Sequence, residues 1–220
     1  MDDINEQTLT AAGSSTSEVK STSYYCLFLS GPRTNVNLKL HSVMSPPTLA
    51  ELLGRNRTYA PSHTPSPTVA EMVASGGPGT RVLVVTCLDA RCEPYEFMKI
   101  SKWEALAFRT VGGRVGPQMD GILALDTMFN FQEIAIIHHT NCGATLFTKE
   151  SVSAVLKKRV PDDAEQIDAM TFPDFTDIAG SVRDDLALFR ANSYVSKQLR
   201  EHAHGFVFDI VTGTLTNVEK

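Results

Sequence analysis

The chain has 220 residues, 42% of them hydrophobic, with 20 basic and 25 acidic side chains and a formal net charge of -5. This is enough for one domain of ordinary size, and it offers no large positive field to a phosphate backbone, so nucleic acid is not an expected partner. No window approaches the roughly 18 consecutive apolar residues of a membrane span, and 4 cysteines do not make the dense disulfide framework of a small secreted domain; a reducing, cytoplasmic setting away from membranes is expected.

Residues 1–45 read as a flexible extension, because Ser, Thr and Asn are frequent over residues 8–23 and neither a helical nor a strand period is sustained. A short apolar patch, residues 24–30, interrupts it. Asp2, Asp3 and Glu6 open the chain and Arg33 is the only arginine before Arg55, which does not fit a mitochondrial presequence. Ser45, Pro46 and Pro47 mark the edge of the remaining domain, residues 46–220. There Thr48 and Glu51 have capping-box spacing, and Leu52 and Leu53 follow in a helical setting that runs to about Tyr59. Residues 69–74 predict a short helix, and the Gly76-Gly77-Pro78-Gly79 loop delivers the chain to a first strand beginning at Arg81.

Beyond that strand, residues 94–100 read as a short helix and residues 103–111 as a second strand closed by Gly112-Gly113. Ile122, Leu123, Leu125, Met128 and Phe129 recur at helical spacing over residues 119–131 and lead into a third strand, residues 133–139. Residues 144–158 predict the next helix and residues 161–175 a loop with a turn or two of helix. Residues 177–204 predict one long helix ended by Gly205, and residues 206–211 a last strand at a sheet edge. The fold class is α/β: a mostly parallel sheet flanked by helices, with an antiparallel edge strand at residues 206–211.

Two stretches carry the chemistry. Residues 81–93, RVLVVTCLDARCE, and residues 135–145, AIIHHTNCGAT, are apolar runs that stop abruptly at polar and sulfur-bearing residues, as a buried parallel strand does when its carboxyl end opens into a site. Cys87 and Asp89 are two apart, with Arg91 just beyond in the turn; His139 and Cys142 are three apart, so that a strand end and the following segment can grip one ion. Two thiolates and an imidazole favour zinc over hard cations such as magnesium or calcium. His138 and His139 point to opposite faces of a strand, and the distance to Cys142 favours His139 as the ligand. His138 then reads as a hydrogen-bonded structural histidine, Cys26 and Cys92 as small buried apolar residues, and His202 and His204 as helix-end residues.

Cys87-Leu88-Asp89-Ala90-Arg91 and His139-Thr140-Asn141-Cys142-Gly143 resemble the paired Cys-x-Asp-x-Arg and His-x-x-Cys-Gly motifs of the β-class carbonic anhydrases, and Arg109 to Gly113 (RTVGG) resembles the family's Arg-Asn-Ala-Gly-Gly turn, departing from it at Thr110 and Val111. The resemblance implies a zinc held by Cys87, His139 and Cys142, with the fourth position open to water or, in a closed form, taken by Asp89. It implies that Arg91 pairs with Asp89 in the open form, and that metal-bound hydroxide hydrates carbon dioxide to bicarbonate. Gly143 is expected to offer a backbone N–H to the developing anion near a helix start. Related enzymes hydrolyse carbonyl sulfide or carbon disulfide on the same ligands, so carbonyl sulfide hydrolysis is the second reading. A non-catalytic zinc-stabilised protein, with Asp89 locked on the metal, is the third. Similar proteins are homodimers or dimers of dimers whose amino-terminal helices, here residues 52–59, reach across to the partner.

Overall fold

The computed structural model describes residues 46–77 and 79–219; the expected extension over residues 1–45, with its apolar patch and Cys26, lies outside them. The described residues before Pro65 belong to one compact unit and those from Pro65 onward to another. In the first unit, α1 (Leu49–Tyr59) starts at the expected capping box: the Thr48 hydroxyl accepts from the Glu51 N–H at 3.3 Å, and the Glu51 carboxylate accepts from the Thr48 N–H at 2.6 Å. None of its residues is buried.

The second unit opens with α2 (Val69–Ala74), where Thr68 and Glu71 repeat the capping box. The chain then runs through β1 (Val82–Cys87), α3 (Pro94–Phe97), β2 (Ala105–Thr110), α4 (Met119–Phe129) and β3 (Glu133–His139). It continues through α5 (Lys149–Arg159), α6 (Ala164–Ala169), α7 (Ile178–Ala191), α8 (Lys197–Glu201), β4 (Ala203–Phe208) and β5 (Leu215–Asn217). The strands form one sheet in the order β2-β1-β3-β4-β5, parallel except for the β4–β5 pair. β2 and β3 lie on opposite sides of β1, so the strand order reverses there, and a parallel sheet of this kind opens a crevice beyond the carboxyl ends of β1 and β3.

Each face of the sheet is closed by an apolar layer. Leu83, Val85, Ile134 and Ile136 pack with Val182, Leu186 and Phe189 of α7, each such burial contributing about 1.5–3 kcal/mol. Val84, Ala135 and Ile137 form the other layer with Cys87, Cys92, Cys142 and Ala144. The alternation along β3 settles the two histidines: His138 shares a face with Ile134 and Ile136, and His139 shares the opposite face with Ala135 and Ile137.

Three sequence expectations are corrected. The long helix over residues 177–204 is two helices, broken where Asn192 leaves the helical path and the Ser196 hydroxyl caps α8 by accepting from the Leu199 N–H. Gly205 does not end a helix; it lies in β4, where a Cβ would stand 2.5 Å from Leu186 Cδ1 and 2.7 Å from Val182 Cγ1, so close packing of α7 explains it. The antiparallel edge is β5, not residues 206–211: β4 runs parallel to β3, and the chain turns at Asp209, whose N–H donates to the Thr214 carbonyl at 2.9 Å.

Candidate metal centre

β1 and β3 end side by side, with Thr86 opposite Ile137 in the register. The last residue of β1 is Cys87 and the last of β3 is His139. Asn141 then takes a left-handed conformation, φ 55°, and turns the chain so that Cys142 opens a 3-10 turn, Gly143–Leu146. One sulfur from each cysteine and one nitrogen of His139 lie within 4.8 Å of one another, all three residues being buried. The sulfurs are 3.9 Å apart.

The tautomer of His139 follows from its neighbour. Its Nδ1 is 3.0 Å from the Thr140 carbonyl, which can only accept, so Nδ1 carries the proton and Nε2 presents a lone pair. That Nε2 is buried and has no hydrogen-bond partner, a cost that a metal–nitrogen bond removes. The thiols point the same way. The hydrogen bond from the Cys142 thiol, aided by His139 and the Asp89 N–H, holds Cys87 down to about 4, and Cys142 is pushed up by the same partner and by burial. The pair thus carries one negative charge readily and the second only with a cation between the sulfurs. A buried N, S, S donor set is fit to bind a metal ion.

Asp89 lies beside this cluster without joining it. Its Oδ2 is 3.9 Å from His139 Nε2, but both oxygens are taken by Arg91: Nε donates to Oδ1 at 3.0 Å and Nη2 to Oδ2 at 2.7 Å, and the Arg91 backbone N–H also donates to Oδ1. The Arg91 hydrogen bonds hold the Asp89 carboxyl down to about 2. Arg91 reaches onward to the second ligand loop, donating to Oδ1 and to the carbonyl oxygen of Asn141.

Two further groups hold the loops, and sequence reasoning assigned them no role. Arg109 donates from Nε to the Cys87 carbonyl at 3.2 Å, from Nη2 to the Asp89 carbonyl at 2.7 Å and from Nη1 to the Glu93 carboxylate, so one guanidinium clamps the whole first loop. Asp185 of α7, 1% exposed, accepts at Oδ2 from Arg114 Nε at 2.9 Å and from the Val115 N–H at 3.3 Å, and stands 3.2 Å from His138 Nε2. His138 Nδ1 shares a hydrogen bond of 2.7 Å with the Ser181 hydroxyl, which also lies 2.8 Å from the Ile178 carbonyl. This is the structural role expected of His138. Only the long-range fold brings these groups together; an acidic residue at an apolar position of α7 was the one available signal for Asp185.

The Gly112-Gly113 turn is a close approach as well as a turn. Both residues have positive φ, and a Cβ on Gly113 would stand 2.8 Å from His138 Cδ2 and from the Ile137 carbonyl oxygen. Of the two departures from the family turn, Thr110 is buried with its hydroxyl donating to the Arg114 carbonyl, whereas Val111 is exposed. Gly143 is exposed beside Cys142, but it opens the 3-10 turn and not the helix expected over residues 144–158: Phe147 is extended and α5 begins only after Thr148. Cys92 is fully buried, with Sγ 3.0 Å from the Thr86 hydroxyl and outside the ligand group. His202 caps α8 while His204 lies in β4, a correction to its reading as a helix-end residue.

No protein-family model matches the chain. It is 30% identical over 142 residues to β-carbonic anhydrase 1 of Mycobacterium tuberculosis, a match that covers 64% of this chain and 83% of that protein. A carbon disulfide hydrolase of Saccharolobus solfataricus is 31% identical over 127 residues, 50% of this chain and 62% of the other. Among solved structures, carbonic anhydrase from Streptococcus mutans is similar with a TM-score of 0.63 and 26% identity, over 80% of this chain and 99% of that one. Matched along most of the mycobacterial protein and folded like the streptococcal one, this chain belongs to the β-carbonic anhydrase family.

Proposed function

We propose that the chain holds a zinc ion through Cys87, His139 and Cys142 and hydrates carbon dioxide to bicarbonate, with Asp89 and Arg91 as the catalytic pair. The observation that carries this reading is the buried, partnerless Nε2 of His139 grouped with two thiols, next to a carboxylate that Arg91 engages. Three protein ligands with the nearest carboxylate held aside is the pattern of a catalytic zinc, whereas a structural zinc takes four. Bound zinc supplies the Lewis acidity that makes water a nucleophile near neutral pH. Asp89, ionised through its pairing with Arg91, accepts a hydrogen bond from the attacking water and orients it. The two cysteines belong to an apolar cluster that includes Ala144 and against which Phe147 and Phe175 pack, surroundings that suit a small substrate without charge. The Gly143 N–H donates to the anion as it forms, and the released proton passes to solvent or buffer. In a closed form Asp89 would leave Arg91 and take the fourth position.

Carbonyl sulfide is the second substrate on the same site, a reading supported by the likeness to the carbon disulfide hydrolase. Attack at carbon is common to these linear molecules, so selection falls to the walls and entrance of the pocket. We further infer a cytoplasmic homodimer or dimer of dimers, built on residues 46–220 with residues 1–45 as an extension. Thiol ligands suit a reducing compartment, and Leu49, Leu52 and Leu53 of α1 are exposed as a helix awaiting a partner would be. Among the described residues no helix is long and apolar enough to cross a membrane.

The test is stopped-flow hydration of carbon dioxide by zinc-quantified protein, followed by carbonyl sulfide on the same sample. Rapid hydration is expected. Slow hydration with rapid release of hydrogen sulfide transfers the assignment to the second substrate, and inertness toward both with zinc fully bound would sink the catalytic reading in favour of a structural zinc.

A further inference from the structure

Arg91 is gripped from two sides. Nε and Nη2 donate to the two oxygens of Asp89 at 3.0 and 2.7 Å, while Nη1 donates to Oδ1 and Nη2 to the backbone oxygen of Asn141, both at 3.0 Å. Asn141 sits between His139 and Cys142 in the chain, at a φ of 55°, which asparagine tolerates better than most side chains. One residue of the second ligand loop thus offers both a side-chain and a main-chain acceptor to the planar fork of an arginine from the first loop, 50 positions away.

The grip matters because of what Arg91 restrains. Asp89 Oδ2 is only 3.9 Å from the ligand nitrogen of His139, so a divalent cation there attracts the carboxylate strongly. The opposing Arg91 side chain is 47% exposed, so water competes for its bidentate hold on Asp89 and further anchoring of the guanidinium strengthens it. Resting on the zinc site proposed above, we propose that Asn141 is a positioning residue that pins Arg91, and through it Asp89, away from the metal, so that the fourth coordination position stays open to substrate water. Asn141 touches neither substrate nor metal in this role; it sets the population of the open state.

Azide titration of the cobalt(II)-substituted protein, followed by visible absorption, tests this, because azide fills the fourth position only when Asp89 is off the metal. Asn141→Gly keeps the left-handed backbone and the main-chain acceptor and removes only Oδ1. It is expected to take up as much cobalt as wild type and to bind azide about threefold or more weakly, since apparent affinity scales with the open fraction. Asn141→Asp, which keeps an oxygen at that place, is expected to restore azide binding to near the wild-type value. In an Asp89→Ala background nothing can close on the metal, so Asn141→Gly is expected to change nothing. Full cobalt uptake with unchanged azide affinity in Asn141→Gly overturns this inference alone, and so does a loss of affinity that persists without Asp89. Loss of cobalt from Asn141→Gly overturns it in favour of a structural part in the ligand loop. Failure of the wild-type protein to bind cobalt overturns the zinc reading and this inference with it.

Discussion

Two thiols 3.9 Å apart, one held down to about 4 and the other pushed up, share a single negative charge until a cation lies between them. Removing the Cys142 sulfur therefore removes both a ligand and the hydrogen bond that lets Cys87 ionise. Cys142→Ala is expected to lose metal and turnover together, measured as zinc per chain and as hydration rate; a variant with a full zinc complement and full turnover would take Cys142 out of the site. Asp89→Ala separates the two properties. Asp89 is no part of the ligand group, so zinc should stay, while turnover falls about 100-fold if the carboxylate orients the attacking water. Unchanged turnover would leave Arg91 and Asp89 as an ordinary loop ion pair. The grouping of Cys87, His139 and Cys142 was legible in the sequence because a buried apolar strand that ends in Cys or His has few structural reasons to do so. Asn141 and Arg109 were not, because their roles lie in hydrogen bonds that span 50 and 20 positions.

Among the elements, local signals were read well where they were chemical and poorly where they were periodic. The Thr48 capping box and the limits of β3 fall as expected, since a cap and an apolar run are self-contained. The helical period of Val182, Leu186 and Phe189 continues through Val195 and Leu199, all five buried in one layer, although the chain breaks between them. A period reports which side faces the core, not whether the backbone is continuous. The carboxyl terminus is tied to this region by Glu219, whose carboxylate accepts two hydrogen bonds from Arg190 of α7 and is lowered from the ordinary range by them. A lowered carboxylate contributes stability above its unfolded pKa and loses it as pH falls through the folded one. Both side chains are about one-third exposed (37% and 36%), so the contribution is of the surface kind, about 0.2–1 kcal/mol. Glu219→Gln is expected to lower Tm by about 1–3 °C at pH 7, with the difference vanishing as pH falls below about 4. A difference that is constant across that range in thermal melts would mean that the charge of Glu219 contributes nothing.

At the scale of the whole sheet domain, the metal loops are held from behind by a buried polar node. Asp185 joins α7 to the turn after β2 through Arg114 and Val115 and lies 3.2 Å from His138 Nε2 at the end of β3; Phe175 stacks on His138 and lies beneath the Arg114 guanidinium. The hydrogen-bond donors to Asp185 are distant in sequence, Arg114 at 71 positions and Val115 at 70, and Ser181 of the same helix reaches His138 across 43. The node forms only when β2, β3 and α7 are docked together, so it reports the assembled fold. Its members have few replacements: water is excluded from His138 and Asp185, which are 0% and 1% exposed, and a partner left behind after truncation stays buried and unpaired. Asp185→Ala should therefore cost about 3 kcal/mol or more in denaturant unfolding, well beyond the effect of Glu219→Gln. Gly113 of the turn that Asp185 anchors approaches the Cys87 backbone, where a Cβ would stand 3.4 Å from the Cys87 nitrogen, so the loosened turn should also release zinc to a chelator faster than wild type under conditions where the variant remains folded. A stable Asp185→Ala protein with wild-type zinc release would mean that the strand ends hold the ligand geometry without support from α7.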